Sequence, residues 1–280
     1  MPLLIIFSDL DGTLLDHDTY RWEEARPALE KCAADQVPVV LISSKTKAEM
    51  DILRREMGIE APFVSENGGG IFFPPGLNKR IPPEAEECDG LWKWKLGADY
   101  ASVIKAFEEL RSELTFPIRG FHEMDPSEIS RITGLDTVKS MLASDREFDE
   151  PFIAEFRTPS DRLLLQQAVA RRGMDLSKGG RFYHLYRHGG KENAVEKLIN
   201  WYRTDCADIV TVALGDSPND FAMLDRVDHP VLVKSGNSFP ELHRRIKGLK
   251  ITPTAGPGGW NTAVIDLLDK LQGGSNEQER

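Results

Sequence analysis

The chain has 280 residues, 40% of them hydrophobic, and its 35 basic and 45 acidic side chains give a formal charge of −10. That length suits one large domain or two modest ones, with enough apolar content for a real core, which excludes a disordered chain. The acidic balance excludes nucleic acid and anionic membranes as partners, no stretch approaches the ~20 apolar residues of a membrane span, and three scattered cysteines (Cys32, Cys88, Cys206) fit a reducing cytoplasm rather than a disulfide framework or a zinc site.

The first element is an apolar strand, Leu3 to Ser8, running into Asp9-Leu10-Asp11-Gly12-Thr13. Strand side chains repeat with period two, so both carboxylates leave on one side. Gly12 permits a sharp turn, and Thr13 can cap or bind an anion. Two adjacent carboxylates stay ionised most simply around a cation, and hard oxygen ligands suit Mg²⁺. One carboxylate can attack phosphorus while its neighbour moves protons.

Glu23 to Gln36 carries helical periodicity, and Val37 to Ile42 reads as a buried strand ending at Ser43-Ser44-Lys45-Thr46. A helix from Lys47 to Met57 follows. Strand and helix alternate with short joins, which predicts an α/β fold with a doubly wound parallel sheet. Ligands then collect at the carboxyl ends of strands, where Asp9, Asp11 and Ser43 lie. Pro62 to Ser65 is a short strand, Glu66-Asn67-Gly68-Gly69-Gly70 a turn, and Ile71 to Phe73 a returning strand.

Prolines at 74, 75, 82 and 83 mark a linker. We therefore divide the chain into a core of residues 1–82 and 189–272, an inserted α+β domain of residues 83–188, and a disordered tail of residues 273–280. Within the insert, Asp99 to Leu114 is an amphipathic helix, Ser127 to Leu135 and Thr137 to Ala143 are short helices, and Phe152 to Arg157 is a strand. Ser160 to Arg172 is a helix. Arg181 to Arg187 is a strand with Phe182, His184 and Tyr186 on one face and Tyr183 and Leu185 on the other; His184 is expected to face the insert's own core. Trp92 and Trp94 are expected to cover the linker.

After Gly189-Gly190-Lys191 the first style resumes. A helix spans Glu192 to Tyr202, and a buried strand from Asp208 to Leu214 ends in Gly215-Asp216-Ser217-Pro218-Asn219-Asp220. A strand at Val231 to Val233, a Gly/Pro loop from Thr252 to Gly259 and a helix from Trp260 to Leu271 complete the chain.

Four motifs line up at strand ends and helix starts: the Asp9–Thr13 pentad, Ser43, Lys191 and the Gly215–Asp220 run. Jointly the sequence resembles the haloacid dehalogenase superfamily of phosphatases and phosphotransferases. The resemblance implies a Rossmann-like core with a substrate-specificity cap inserted between Ser43 and Lys191. It implies Asp9 as nucleophile forming an aspartyl-phosphate, Asp11 as general acid and base, and Ser43 and Lys191 as phosphoryl-binding groups. It implies Mg²⁺ held by Asp9, Asp11 through its carbonyl, and Asp216, with Asp220 either a water-mediated ligand or the group that orients Lys191.

A narrower resemblance, to the mannosyl-3-phosphoglycerate phosphatase family, rests on Ser65-Glu66-Asn67-Gly68-Gly69, on Arg146 to Phe152, on Lys178 to Leu185 and on Gly-Asp-Ser-Pro-Asn-Asp. It implies hydrolysis of 2-O-mannosyl-3-phosphoglycerate to mannosylglycerate, a compatible solute. For this small acidic sugar phosphate the candidate contacts are Ser44, Glu66, Asn67, Gly68, Arg146, Glu147, Glu150, Lys178, Gly179, Gly180, Arg181 and Asn219. Arg146 and Arg181 are suited to fork onto a carboxylate, and Lys178 with the Gly179 and Gly180 amides to form an anion nest. Arg146 and Glu150 also stand at ion-pair spacing. The alternatives are a glucosyl-3-phosphoglycerate or sucrose-6-phosphate phosphatase, a phosphomutase, or a catalytically silent binding protein. Monomer and homodimer both remain open.

Overall fold

The structure is a computed structural model that describes residues 2–77 and 81–276. In the first part of the chain, β1 (Leu3–Ser8), α1 (Arg26–Ala34), β2 (Val39–Ile42), α2 (Lys47–Glu56), β3 (Phe63–Ser65), β4 (Gly70–Phe73), β5 (Glu86–Cys88) and β6 (Leu91–Lys95) follow in order. The insert holds α3 (Tyr100–Glu113), β7 (Ile118–Gly120), α4 (Pro126–Thr133), α5 (Thr137–Ser144), β8 (Asp149–Ala154), α6 (Asp161–Arg171), β9 (Asp175–Gly179) and β10 (Phe182–Tyr186). The chain closes with α7 (Lys191–Arg203), β11 (Ile209–Gly215), α8 (Phe221–Leu224), β12 (His229–Lys234), α9 (Leu242–Arg245), β13 (Lys250–Ala255) and α10 (Gly256–Asn276).

Nine strands form one sheet in the order β13-β12-β11-β1-β2-β3-β4-β6-β5. The pairings from β13 to β3 are parallel, and β4, β6 and β5 extend the sheet antiparallel. Alternation along β1 divides the core. Leu4 and Ile6 pack with Trp260 and Val264 of α10 and with Met50 of α2 on one face. Ile5 and Phe7 pack with Val195 and Leu198 of α7 on the other. A strand buried on both faces has to be apolar throughout, which is why Leu3 to Phe7 carries no polar side chain.

Several expectations change at the edges. Residues 86–95, assigned to the insert by the prolines before them, pair back onto β4, so the large sheet runs further than the composition shift suggested. Trp94 packs on the α7 face of that sheet, where Lys197 lies 5.1 Å over its ring. The loop expected from Thr252 to Gly259 instead holds the end of β13 and the first turn of α10, and α10 continues through Asn276. The expected tail is thus helical over residues 273–276, and its remaining residues, 277–280, lie outside the described ones.

The insert forms a second, antiparallel sheet, β7-β8-β10-β9. One face, with Phe152, Tyr183 and Leu185, is covered by Val103, Phe107 and Leu110 of α3 and by Leu165 and Ala168 of α6. The opposite face carries Asp149, Pro151 and His184, in register at Pro151 and His184. That face turns toward the large sheet. His184 is therefore on the face opposite to the one expected: Tyr183 and Leu185 supply the insert's core, and His184 looks away from it.

Candidate active site

The carboxyl end of β1 delivers Asp9 into the middle of the large sheet, between β2 and β11. Its carboxylate is buried and accepts a hydrogen bond from Lys191 Nζ at 2.6 Å and from Thr13 Oγ1 at 3.2 Å. The same ammonium donates to Asp220 Oδ1 at 2.7 Å. Lys191 opens α7 directly after Gly190, whose φ of 104° turns the chain into the helix. The Lys191 ammonium, buried between two acids, is held well above its ordinary range, while burial pushes Asp9 up to about 8, with Asp220 repelling its charge and Lys191 opposing the shift.

Asp216 arrives at the tip of β11. Burial, and then the nearby Asp220, push its carboxyl up to about 6. Gly12, at φ 80°, lets the backbone run against this carboxylate: a methyl there would lie 2.7 Å from Asp216 Oδ2. Carboxylate oxygens of Asp9, Asp216 and Asp220 fall within 4.8 Å of one another. Three hard oxygen donors this close, with two of the carboxyls raised by burial and then by the charge of Asp220, fit a divalent cation. Asp220 is the least free of the three. Its Oδ2 accepts the Asp216 and Ser217 amides at 3.1 Å each, and its Oδ1 is taken by Lys191, so its geometry is that of an organiser of the loop and of the lysine.

Asp11 lies on the open side of Asp9, its side chain 34% exposed, with Oδ1 unpaired and Oδ2 2.9 Å from Lys45 Nζ. Lys45 is a functional candidate that the motif pattern missed. It is signalled only by being a cation three residues past the end of β2. Ser43 is buried and its Oγ accepts the Lys45 amide at 3.2 Å. Ser44 contributes its carbonyl to Arg146 Nη2 at 3.0 Å.

The turn at Glu66–Gly68 joins the parts together. Glu66 and Asn67 hold φ of 49° and 55°, a left-handed pair that non-glycine residues adopt only under constraint. The backbone supplies that constraint: the Glu66 amide donates to the Lys45 carbonyl at 2.9 Å, the Asn67 amide to the Ser43 carbonyl at 2.9 Å, and the Gly190 amide to the Asn67 carbonyl at 2.7 Å. Gly68 (φ 94°) has no room for a side chain, since a methyl would lie 2.2 Å from the Gly190 carbonyl oxygen.

The buried Glu66 carboxylate then accepts the amides of Glu147, Phe148 and Asp149 at 2.7 to 3.1 Å. Burial pushes it up to about 7, against the pull of Arg146 and these amides. Asp149, fully buried and unremarked in the sequence, is the second hub. It receives Arg146, Asn67 Nδ2 at 2.8 Å and His184 Nδ1 at 3.0 Å. Which acid of Arg146-Glu147-Phe148-Asp149-Glu150 turns inward is set by strand register, which the mixed charges of that stretch do not display.

Several candidate contacts are therefore committed within the protein. Arg146 pairs with Asp149, not with Glu150. Glu150 points into the insert's core, where Tyr100 Oη and His122 Nδ1 donate to it. Glu147 pairs with Lys93 at 2.7 Å. The Lys178–Arg181 turn overhangs the site: a methyl on Gly179 would stand 3.8 Å from both Asn219 Nδ2 and His184 Nε2. Lys178 is exposed, its ammonium 5.3 Å over the Tyr183 ring. Gly180 takes the left-handed turn position (φ 51°), and Arg181 donates to the Ile132 carbonyl at 2.8 Å.

Comparison with known proteins gives the family and the fold. The profile described as haloacid dehalogenase-like hydrolase matches residues 6–81 and 177–242. A glucosyl-3-phosphoglycerate/mannosyl-3-phosphoglycerate phosphatase of Methanococcoides burtonii is 37% identical over 266 residues, 95% of this chain and 97% of the relative. A protein of the same description from Persephonella marina is 37% identical over 276 residues, 97% of this chain and 99% of the relative. Among solved structures, a Thermoplasma acidophilum protein superposes with a TM-score of 0.67 at 19% identity, covering 94% of this chain and 97% of its own. BT4131, described as a sugar phosphatase of HAD subclass IIB, does so with 0.60 at 17% identity, covering 96% and 98%. At such identities the structures speak for the fold alone. Among the described residues no helix is long and apolar enough to cross a membrane.

Proposed function

The chain belongs to the haloacid dehalogenase-like hydrolases and is a phosphatase, and from that premise we propose that it dephosphorylates a glycosylated 3-phosphoglycerate, 2-O-mannosyl-3-phosphoglycerate first and the glucosyl ester second. The printed names of its two relatives support the substrate class, with near-complete coverage at 37% identity. The observation that carries the chemistry is Lys191 Nζ lying between Asp9 and Asp220, 2.6 and 2.7 Å away, brought together from distant parts of the chain.

In this reading Asp9 attacks phosphorus in line and carries the phosphoryl group as an acyl phosphate. Asp11 gives a proton to the departing ester oxygen and then takes one from the water that hydrolyses the intermediate. Lys191 and Ser43 hold the phosphoryl oxygens, and Thr13 steadies Asp9. Asp9 and Asp216, with the main chain at Asp11, would hold Mg²⁺, which supplies charge neutralisation on the phosphoryl group. The insert acts as a cap: its Asp149–His184 face and the Lys178–Arg181 turn exclude bulk water and admit only small esters. Free cysteines at 32, 88 and 206 support a cytoplasmic setting.

The test is phosphate release from mannosyl-3-phosphoglycerate, glucosyl-3-phosphoglycerate and sucrose-6-phosphate, each with Mg²⁺ and with EDTA. Turnover of the two glyceryl esters, lost with EDTA, is expected. Turnover of sucrose-6-phosphate alone would overturn the substrate class. Isomerised sugar phosphate without free phosphate would mark a mutase instead.

A further inference from the structure

We propose that Lys45 is the counter-ion for the glycerate carboxylate of the substrate, an inference that rests on the substrate class proposed above. The starting point is chemical. In a 3-phosphoglycerate ester the carboxylate stands three bonds from the ester oxygen that receives the proton from Asp11. Whatever binds that carboxylate therefore lies beside Asp11.

The group beside Asp11 is Lys45, its Nζ 2.9 Å from Oδ2. Its side chain is only 12% exposed, and the Tyr20 ring lies 5.1 Å from the ammonium on the outer side. The backbone beneath it is fixed by the Glu66 amide on its carbonyl and by Ser43 Oγ on its amide. Asp11 itself is 34% exposed, while its Oδ1 is buried without a hydrogen-bond partner, so an incoming ligand would reach the pair from the exposed edge of the Asp11 side chain.

Of the other cations named as anion ligands, Lys191 and Arg146 are committed within the protein, and Lys178 and Arg181 are exposed on the overhanging turn. Lys191 is shared between Asp9 and Asp220. Arg146 is buried on Asp149 and the Ser44 carbonyl. Arg181 is exposed and donates to the Ile132 carbonyl. An ammonium has three donors, so Lys45 can hold Asp11 with one and a second carboxylate with another. Without it, the substrate carboxylate would meet Asp11 as like charge once the Asp11 proton has passed to the ester oxygen, in a chain whose net charge is already −10. Lys45 thus turns an acid next to the ester from a liability into a requirement.

The experiment compares esters that differ only in the carboxylate: 3-phosphoglycerate against glycerol 3-phosphate, and mannosyl-3-phosphoglycerate against 2-O-mannosylglycerol 3-phosphate. Wild type, Lys45→Met and Lys45→Arg are assayed with Mg²⁺ for kcat and KM. The wild type is expected to prefer the acid member of a pair. In Lys45→Met that preference falls by about tenfold to a hundredfold, as loss of a charged hydrogen bond requires, chiefly through KM; Lys45→Arg retains most of it. An equal loss on both members of a pair would make Lys45 a positioning residue for Asp11 and overturn the proposal, as would a wild type indifferent to the carboxylate. If only the unglycosylated pair is turned over, the substrate reading fails while Lys45 is still judged on that pair. Turnover of neither pair overturns both.

Discussion

At the scale of single residues, the site is a problem of charge: Asp9, Asp11, Asp216 and Asp220 meet Lys45 and Lys191 at the tips of β1, β2 and β11. Burial pushes the Asp9 carboxyl up to about 8 even with Lys191 beside it, so a further cation at the site would favour the anion that the proposed attack needs. Asp9→Asn keeps the shape and removes the attacking oxygen, so phosphate release should fall by about 10⁴-fold or more; a variant retaining a few per cent of wild-type turnover would remove Asp9 from the nucleophile's role. His184 makes a different prediction. Burial, with Arg146 and Lys191 nearby, holds its imidazole down to about 3, so the folded protein keeps it neutral where the unfolded chain, near the ordinary 6.5, takes up a proton. Its contribution is complete above about pH 6.5 and is lost as pH falls toward 3, at no more than about 1.4 kcal/mol per pH unit for one proton. Urea unfolding of the wild type and His184→Gln between pH 7 and 4.5 should converge as the solution is acidified. A constant gap between the two would place the titration elsewhere.

Elements bring these residues together, and the Glu66–Gly68 turn does most of the joining. Its backbone contacts Ser43, Lys45 and Gly190, so the Ser43 and Lys191 segments, proposed to bind the phosphoryl group, are spaced by one tight turn. Gly68→Ala forces a methyl to within 2.2 Å of the Gly190 carbonyl oxygen at a φ of 94°, so the start of α7 must move and carry Lys191 with it. We expect a loss of about 2 kcal/mol in stability, in the range of left-handed backbone strain. The drop in kcat should exceed any rise in KM, since a displaced Lys191 acts on the transferring group. A kcat within twofold of wild type would show that α7 tolerates the shift. The strands and the four motifs were legible because each is a long apolar run or a fixed local spacing that ends at the sheet's carboxyl edge. Strands β5, β6, β7, β9 and β13 were not legible: they are short or carry polar residues throughout, and β5 is largely charged, with its pairing decided by partners elsewhere in the chain. His184 was assigned its pleat correctly but not its side, because alternation alone does not say which face of a two-sided sheet meets the core.

For the molecule as a whole, the question is what holds the cap on the core. The two chain crossings are tied by the Ala98 amide on the Arg187 carbonyl at 3.0 Å. Thr46 Oγ1 reaches the Leu142 carbonyl at 2.8 Å and Lys93 reaches Glu147 at 2.7 Å. The central contact is different in kind: one carboxylate from the core, Glu66, receives three successive amides of the cap. None of this was readable from the sequence, where Glu66 stood beside Asn67 as a sugar-binding candidate, because an acid that binds a ligand and an acid that binds its own chain carry the same letter. Exchanging Glu66 for Ala would leave three buried donors without an acceptor, at about 1–3 kcal/mol for each group left unpaired, and that cost is avoided only if the cap lifts and water reaches them. Glu66→Ala should therefore speed amide hydrogen exchange at residues 147–149 by at least about tenfold while leaving the amides of β1 unchanged, since β1 is paired on both sides within the large sheet. KM for the glyceryl ester should rise in parallel, because an open cap no longer presents the Lys178–Arg181 turn to the substrate. Unchanged exchange at residues 147–149 would mean that the remaining contacts suffice to keep the cap down, and Glu66 would then be only a local brace for the turn that carries it.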